Sequence, residues 1–160
     1  MIKKTLALIL VILTCLSIIS CSEDPVVFSH CELTIPLAED FYEISDENFD
    51  VSYTNGASVV AILRISHDAA VNEGISNLLT AYEFGEYWIE RCERDTNLIS
   101  GGGAVWCDYY DGEGTAARYY LEAFYRSKHA YFVVLFATSA GLADASRTGF
   151  LEYAKGVNFV

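Results

Sequence analysis

Basic residues are scarce in this chain of 160 residues. Ten Lys and Arg stand against 22 Asp and Glu, which gives a formal net charge of -12 at pH 7. Because nucleic-acid phosphates are bound by clustered Lys and Arg, this composition argues against a nucleic-acid partner. It argues equally against attachment to anionic lipid through a basic face. The acidic composition is consistent with binding of a cation or of a basic partner, but the solubility that acidic residues provide is enough to explain it.

Motifs of common catalytic and cofactor sites are also absent. The sequence contains no GxSxG, HExxH, P-loop or GxGxxG pattern. The glycine run at 101–103 has neither the lysine nor the strand-to-helix context that phosphate binding needs. His30, His67 and His129 are far apart in the chain, and isolated histidines are more often surface residues than metal ligands. The sequence therefore predicts no cofactor and no catalytic residue.

Cysteines are few, and no CxxC pair occurs, so neither a zinc ribbon nor a thioredoxin-like redox site is indicated. Beyond Cys21 the chain has Cys31, Cys92 and Cys107. These three cysteines can form at most one disulfide among themselves, which leaves one thiol free. Cys92 with Cys107 is the first pair to test, because a helix end and the strand after it could bring them together. Three buried free thiols fit the sequence equally well.

One acidic loop resembles a calcium-binding segment in its composition. Asp108, Asp111 and Glu113 lie in a segment with Gly112 and Gly114, which permit a bend, and calcium prefers several oxygen ligands. Their spacing does not match an EF-hand, however, and Asp-Gly at a hairpin tip is explained by turn chemistry. The sequence therefore predicts a turn here and no metal site.

The first twenty residues have the features of a secretory leader. Lys3 and Lys4 form a positive segment, Thr5 to Ile19 is apolar, and Ser20 is a small residue at a cleavage position. A membrane-spanning helix needs ~20 apolar residues, and this run is shorter. We therefore expect residues 1–20 to be a removed signal peptide.

The residues around the cleavage position narrow this interpretation. Ile18-Ile19-Ser20-Cys21 resembles the lipobox of bacterial lipoproteins. The resemblance implies that Cys21 becomes the new N-terminus and carries acyl chains, which bind membranes at about 0.8 kcal/mol per buried CH₂. The mature protein would then be anchored to membrane lipid on the extracytoplasmic face of the bacterial cell envelope, with residues 21–27 as a tether. The alternative is an ordinary secretory signal followed by an incidental cysteine.

The remaining chain comprises residues 28–160. Its first half is rich in sequence patterns typical of strands. Alternation predicts a strand over Phe28 to Ile35, ended by Pro36, and a short extended piece over Phe41 to Ile44. Two further alternating runs flank Asn55-Gly56, which predicts a hairpin with a type I′ turn.

Helices and a strand meander follow. One helical turn is expected near Ala69 to Asn72, and Thr80 with Glu83 forms a capping box that starts an amphipathic helix. The expected elements after it are strands over Ala104 to Tyr110, Thr115 to Arg126 and Tyr131 to Ala137, a helix over Ala143 to Tyr153, and a last strand over Val157 to Val160. This order predicts a single α+β domain in which helices cover a twisted antiparallel sheet.

The start of the domain, Leu33-Thr34-Ile35-Pro36-Leu37-Ala38-Glu39-Asp40-Phe41, resembles the start of Mog1/PsbP-like domains. The later order of hairpin, helix, aromatic meander and closing helix is also similar. The resemblance implies an α-β-α sandwich and, since members of the fold look like non-catalytic binding proteins, a binding role. No functional residue carries over from it, because fold does not imply function.

Tyrosines are concentrated in the meander. The chain has 11 tyrosines, and tyrosine suits binding surfaces because its ring is apolar and its hydroxyl polar. Some of those in the meander must face the core. The sequence-based hypothesis is an exposed patch of Tyr109, Tyr110, Tyr120 and Tyr125 that binds a protein or peptide. One alternative is an envelope enzyme or a small-ligand or glycan receptor that uses Asp108, Asp111, Glu122 or His129; another is a structural envelope protein.

Overall fold

The computed structural model describes residues 25–160. The predicted signal peptide, Cys21 and most of the predicted tether lie outside the described residues. Within the described range no helix is long and apolar enough to cross a bilayer.

A seven-stranded antiparallel sheet forms the centre of the fold. Its strands are β3 (Tyr42–Ile44), β4 (Val51–Thr54), β5 (Ser58–Ser66), β6 (Ile99–Gly101), β7 (Ala104–Asp111), β8 (Arg118–Arg126) and β9 (Ala130–Ser139), in the order β3-β4-β5-β9-β8-β7-β6. β9 lies in the middle, and its run of apolar residues is buried on both faces, as expected for the strand predicted over Tyr131 to Ala137.

A second sheet has three strands, β1 (Val26–His30), β2 (Leu33–Leu37) and β10 (Asn158–Phe159), with β2 in the middle. The prediction of one strand over Phe28 to Ile35 is wrong, because the chain reverses at Cys31, whose φ is +52°. Pro36 lies inside β2, opposite Val27, and does not end the strand. β1 begins at Val26, two residues before Phe28.

Helices cover both faces of the large sheet. α1 (His67–Asn72) and α2 (Ala81–Arg91) lie on one face, while α3 (Ala143–Lys155) and the small sheet lie on the other. The capping box at the start of α2 is confirmed: Glu83 N–H donates to Thr80 Oγ1, and Thr80 N–H donates to the Glu83 carboxylate. Burying apolar side chains on both faces gives two cores, and this confirms the α+β class predicted from the sequence.

The predicted hairpin at Asn55-Gly56 is confirmed, but its turn is not type I′. Of the two central residues only Gly56 has a positive φ, +85°. Asn55 instead accepts hydrogen bonds at its side-chain oxygen from the backbone N–H groups of Ala57 and Ser58. The asparagine therefore caps the turn with its side chain.

The strand registers define two ends of the molecule. At one end, which we name the hairpin end, lie the turns at residues 55–57, 111–117 and 139–142. At the other, which we name the basic end, lie the turns at residues 31–32 and 127–129 and the start of α1. β1 begins at the hairpin end, because Val26 lies opposite Leu37 and the following Asp40 accepts a hydrogen bond from Asn55.

Candidate functional site

Two pairs of tyrosines face each other across β7 and β8 near the hairpin end. Tyr109 lies opposite Tyr120 with ring centroids 5.3 Å apart and planes at 22°, and Tyr110 lies opposite Tyr119 at 5.3 Å and 52°. Because successive strand residues point to opposite faces, the two pairs lie on opposite faces of the sheet. We name β7, β8 and the connection at residues 111–117 the tyrosine hairpin.

The tyrosine hairpin brings together three of the four tyrosines predicted for a surface patch. Tyr110 is 61% exposed, Tyr109 and Tyr120 are half-buried, and Tyr119, which the prediction did not include, is buried. Rings held in cross-strand pairs lose little further conformational freedom on binding a partner. The hairpin thus presents preorganised aromatic surface on both sides.

Tyr125 does not belong to this surface, and its inclusion in the predicted patch is wrong. It lies toward the basic end of β8, is 5% exposed, and donates a hydrogen bond from its hydroxyl to the backbone oxygen of Ala154 at 2.6 Å. Burial raises the pKa of its phenol. The physical reason is that α3 covers this face of β8, so Tyr125 is a core residue with its one polar atom paired.

A buried carboxylate supports the tyrosine hairpin on the α2 side. Glu122 Oε1 accepts a hydrogen bond from Tyr109 Oη at 2.9 Å, while Oε2 has no hydrogen-bond partner among the described residues. Arg94 lies with a terminal nitrogen 4.0 Å from Glu122 and its guanidinium carbon 4.5 Å from the centre of the Tyr109 ring. Burial raises the pKa of Glu122, against the opposing effects of Tyr109 and Arg94.

The cysteines near this carboxylate are free. Cys107 is buried directly opposite Glu122, and Cys92 is partly buried at the end of α2. Burial, with the negative charge of Glu122, raises the pKa of the Cys107 thiol to about 12 and also raises that of Cys92. The sequence suggested three buried free thiols. Of these only Cys107 is buried, because Cys31 is exposed and Cys92 is partly buried. Protonated, buried thiols are poor nucleophiles.

On the α3 side a carboxylate holds the other tyrosine pair. Asp108 Oδ2 accepts hydrogen bonds from Arg147 Nε at 2.7 Å and from Tyr119 Oη at 3.1 Å. Burial, together with Asp108, raises the pKa of Tyr119, so the phenol remains a hydrogen-bond donor. The groove here has a volume of about 230 Å³, and the exposed Tyr110 and Asp144 also line it.

The polar residues proposed for an alternative catalytic pocket do not converge. Asp108 and Glu122 lie on opposite faces of the sheet, Asp111 accepts a bond from the backbone of Gly112 at the hairpin tip, and His129 lies at the basic end. Within residues 25–160 no three acidic, cysteine or histidine side chains form a metal-ligand group. The arrangement therefore offers aromatic surface and internally paired charges.

Arg94 and Arg147 are the two site residues that sequence reasoning missed. Each comes from an element distant in the chain from the carboxylate it approaches, the segment after α2 in one case and α3 in the other. The periodicity of a sequence shows which residues share a face of one helix or strand. It does not show which residues of different elements come into contact. The one feature of the sequence that could have drawn attention to these arginines is that basic residues are scarce in this acidic chain.

Comparison with solved structures identifies the architecture. The solution structure of cyanobacterial PsbP (CyanoP) from Synechocystis sp. PCC 6803 matches with a TM-score of 0.60 and 12% identity, over 90% of this chain and 99% of that one. A crystal structure from Bacteroides thetaiotaomicron VPI-5482 matches with a TM-score of 0.55 and 12% identity, over 86% of this chain and 48% of that one. At such identities the likeness shows the fold alone, so the chain has a PsbP-like α+β fold. Neither a protein-family model nor a curated protein matches the sequence.

Proposed function

We propose that the chain is a membrane-anchored, extracytoplasmic lipoprotein that binds a protein or peptide partner, without catalysis, through the tyrosine hairpin. One observation carries this proposal. Tyr110 is 61% exposed on one face of the hairpin, and the half-buried Tyr109 and Tyr120 are paired on the other face, while the side chains of Asp108 and Arg147 near Tyr110 are paired with each other. Exposed, preorganised tyrosines surrounded by already satisfied polar groups are typical of a binding surface.

The pairing of the charged groups favours binding over catalysis. A general acid or base needs a carboxylate or imidazole that reaches a substrate. Asp108 is held by Tyr119 and Arg147, and Glu122 is 5% exposed and points toward Tyr109. The PsbP-like fold agrees with this reading, because the family resemblance implies non-catalytic binding.

Anchoring rests on the lipobox-like residues before Cys21 and on the acidic composition, which leaves acyl chains as the means of attachment. The test is growth of a lipoprotein-processing bacterium with an alkynyl fatty acid, followed by detection of the label on the purified chain. We expect labelling of the wild type and of Cys31→Ser, and none of Cys21→Ser. Cys31→Ser is the matched control, since it removes an exposed thiol. Equal labelling of the two variants would contradict acylation of Cys21.

Partner binding is tested by recovering the tagged full chain from gently solubilised membranes after crosslinking. Tyr110→Ala should reduce the amount of one specific co-purified protein at least about tenfold, the effect expected of a central aromatic contact. Tyr42→Ala is the matched control, because Tyr42 is 58% exposed on β3, at the opposite edge of the sheet. Equal recovery with both variants, or no specific protein with the wild type, would reject this surface.

A further inference from the structure

A second pocket, remote from the tyrosine hairpin, opens at the basic end. Its volume is about 370 Å³, and its lining comes from the end of β5, the start of α1 and the β8–β9 turn. The lining residues are Arg64, Ser66, His67, Asp68, Lys128 and His129. In a chain with few cations, three elements thus place Arg, Lys and His side chains around one opening.

Two lining residues carry buried nitrogen atoms without a partner. Arg64 Nε and His67 Nε2 are inaccessible to solvent and make no hydrogen bond to any residue within the described range. A terminal nitrogen of Arg64 is 4.0 Å from Glu32 Oε1, which is too long for a hydrogen bond. Buried polar groups are nearly always paired, so these two nitrogens leave the wall of the pocket incompletely satisfied.

The walls of the pocket are fixed to each other. Ser127 Oγ accepts hydrogen bonds from the backbone N–H groups of His129 at 3.1 Å and Ala130 at 3.0 Å, and donates to Glu32 at 2.6 Å. The backbone N–H of His67 donates to the carbonyl oxygen of His129 at 2.9 Å. The turn that carries Lys128 is therefore held against the start of α1, which reduces the entropic cost of binding a ligand there.

The side chains that line the pocket include two cations, Arg64 and Lys128, and one carboxylate, Asp68. Lys128 forms no ion pair with any residue from 25 to 160. Burial, then Arg126 and His129, lower the pKa of His67, against the opposing carboxylates of Glu32 and Asp68. The exposed Asp68 is the opposing charge in the lining, and Glu32, which accepts a hydrogen bond from Ser127 and lies 4.0 Å from Arg64, is a second carboxylate behind it.

We propose that this pocket binds a phosphate-sized oxyanion, with Arg64, Lys128 and the imidazoles of His67 and His129 as its donors. Ser66 adds a hydroxyl hydrogen, because its oxygen already accepts a bond from the backbone of Ala69. This site is independent of the tyrosine hairpin and of the anchoring at Cys21.

The test is titration of the full chain with inorganic phosphate at constant ionic strength, followed by NMR of the imidazole signals. We expect saturable shifts of His67 and His129, a rise in the pKa of His67, and no shift of His30, which does not line the pocket. Titration with chloride is the control for screening. The oxyanion could be free phosphate or the phosphate group of an organic ester, and a second titration with glycerol 3-phosphate distinguishes the two. Tighter binding of the ester indicates an organic phosphate, and equal binding indicates the free ion.

Variants make the test specific. Arg64→Gln should weaken phosphate binding about tenfold, the effect of losing a charge-assisted hydrogen bond. Because Arg64 is partly buried, the exposed Lys128→Gln and Asp68→Asn serve as variants that fold; the first should weaken and the second strengthen binding by about two- to fivefold. Lys155→Gln and Asp111→Asn make the same charge changes away from the pocket and should leave binding unchanged. Equal shifts with chloride, or equal effects of near and remote variants, would overturn the proposal.

Discussion

Glu122 is a carboxylic acid in the core of an otherwise apolar layer between the large sheet and α2. It is 5% exposed, and one of its two oxygens has no hydrogen-bond partner among the described residues. Burial raises its pKa, which means that the fold favours the neutral acid over the carboxylate. The residue therefore makes the stability of the protein depend on pH.

The sign of that dependence follows from proton binding. The unfolded chain releases this proton near pH ~4.3, whereas the folded protein retains it to higher pH. Between the two pKa values the folded state binds more protons, so the free energy of unfolding falls as pH rises, and this contribution remains lost above the folded pKa.

A neutral isostere tests this conclusion. Glu122→Gln should raise the free energy of unfolding by about 1 kcal/mol at pH 7, since it removes a buried, incompletely paired charge. The gain should disappear near pH ~3, well below the unfolded pKa of ~4.3, where Glu122 is itself neutral in both states. Urea denaturation of the full chain at both pH values measures it, with the exposed Glu86→Gln on α2 as control. Lower stability of Glu122→Gln than of wild type at pH 7 would contradict the argument.

Alternation along β8 places Tyr119 and Tyr125 on one face, where both join the same core. It could not show which tyrosines stay open. That depends on where α2 and α3 pack, and those contacts join residues far apart in the chain. The prediction placed Tyr125 at the surface because alternation does not show which face of the strand a helix covers.

The tyrosine hairpin depends, at the scale of elements, on the tight connection between β7 and β8. Gly112 has a φ of +84°, and a Cβ atom built there would lie 3.0 Å from the backbone oxygen of Ala116. An L side chain is strained in this conformation, and here it also meets backbone that cannot move aside without opening the turn.

Substitution of this glycine tests the connection. Gly112→Ala should lower the free energy of unfolding by about 1–2 kcal/mol, and urea denaturation of the full chain measures the change. Gly141→Ala is the matched control, because nothing lies within 4 Å of its added Cβ and its φ is not positive; its effect should stay within about 0.5 kcal/mol. Equal losses in the two variants would show that the turn at Gly112 is not strained.

Elements with strong local signals were predictable, and elements fixed by tertiary contacts were not. The capping box at Thr80 and the Asn55-Gly56 hairpin are both present, since each is formed by residues close in sequence. β6 and the division between β1 and β2 were missed. The alternation of Cys31, Leu33 and Ile35 runs through the turn, and the positive φ at Cys31 has no glycine to signal it.

Anchoring at Cys21 would orient the whole molecule. β1 starts at the hairpin end, and the five residues from Cys21 to Val26 span at most about 17 Å when extended. We therefore expect the hairpin end, with the tyrosine hairpin, to lie near the membrane and the basic end to face away from it. A partner of the tyrosine hairpin would then be embedded in the membrane or bound close to it.

A thiol dye can measure this orientation. Cys31 is exposed at the basic end and Cys107 is buried, so with the partly buried Cys92 replaced by Ser in both proteins the dye should label Cys31 in the native chain. The matched variant Cys31→Ser with Thr115→Cys carries the dye at the hairpin tip instead. A lipid-soluble quencher should reduce fluorescence more strongly at position 115 than at position 31. Equal or reversed quenching in an acylated protein would contradict the orientation.

The two edge strands of the large sheet, β3 and β6, have three residues each. Proteins confined to a surface collide laterally and often, and long bare strand edges would let neighbouring copies join their sheets. Edges this short expose few free N–H and C=O groups of their own, but β6 covers only residues 104–106 of β7. Any joining of the large sheets of neighbouring copies should therefore begin along the uncovered part of β7, beside the tyrosine hairpin.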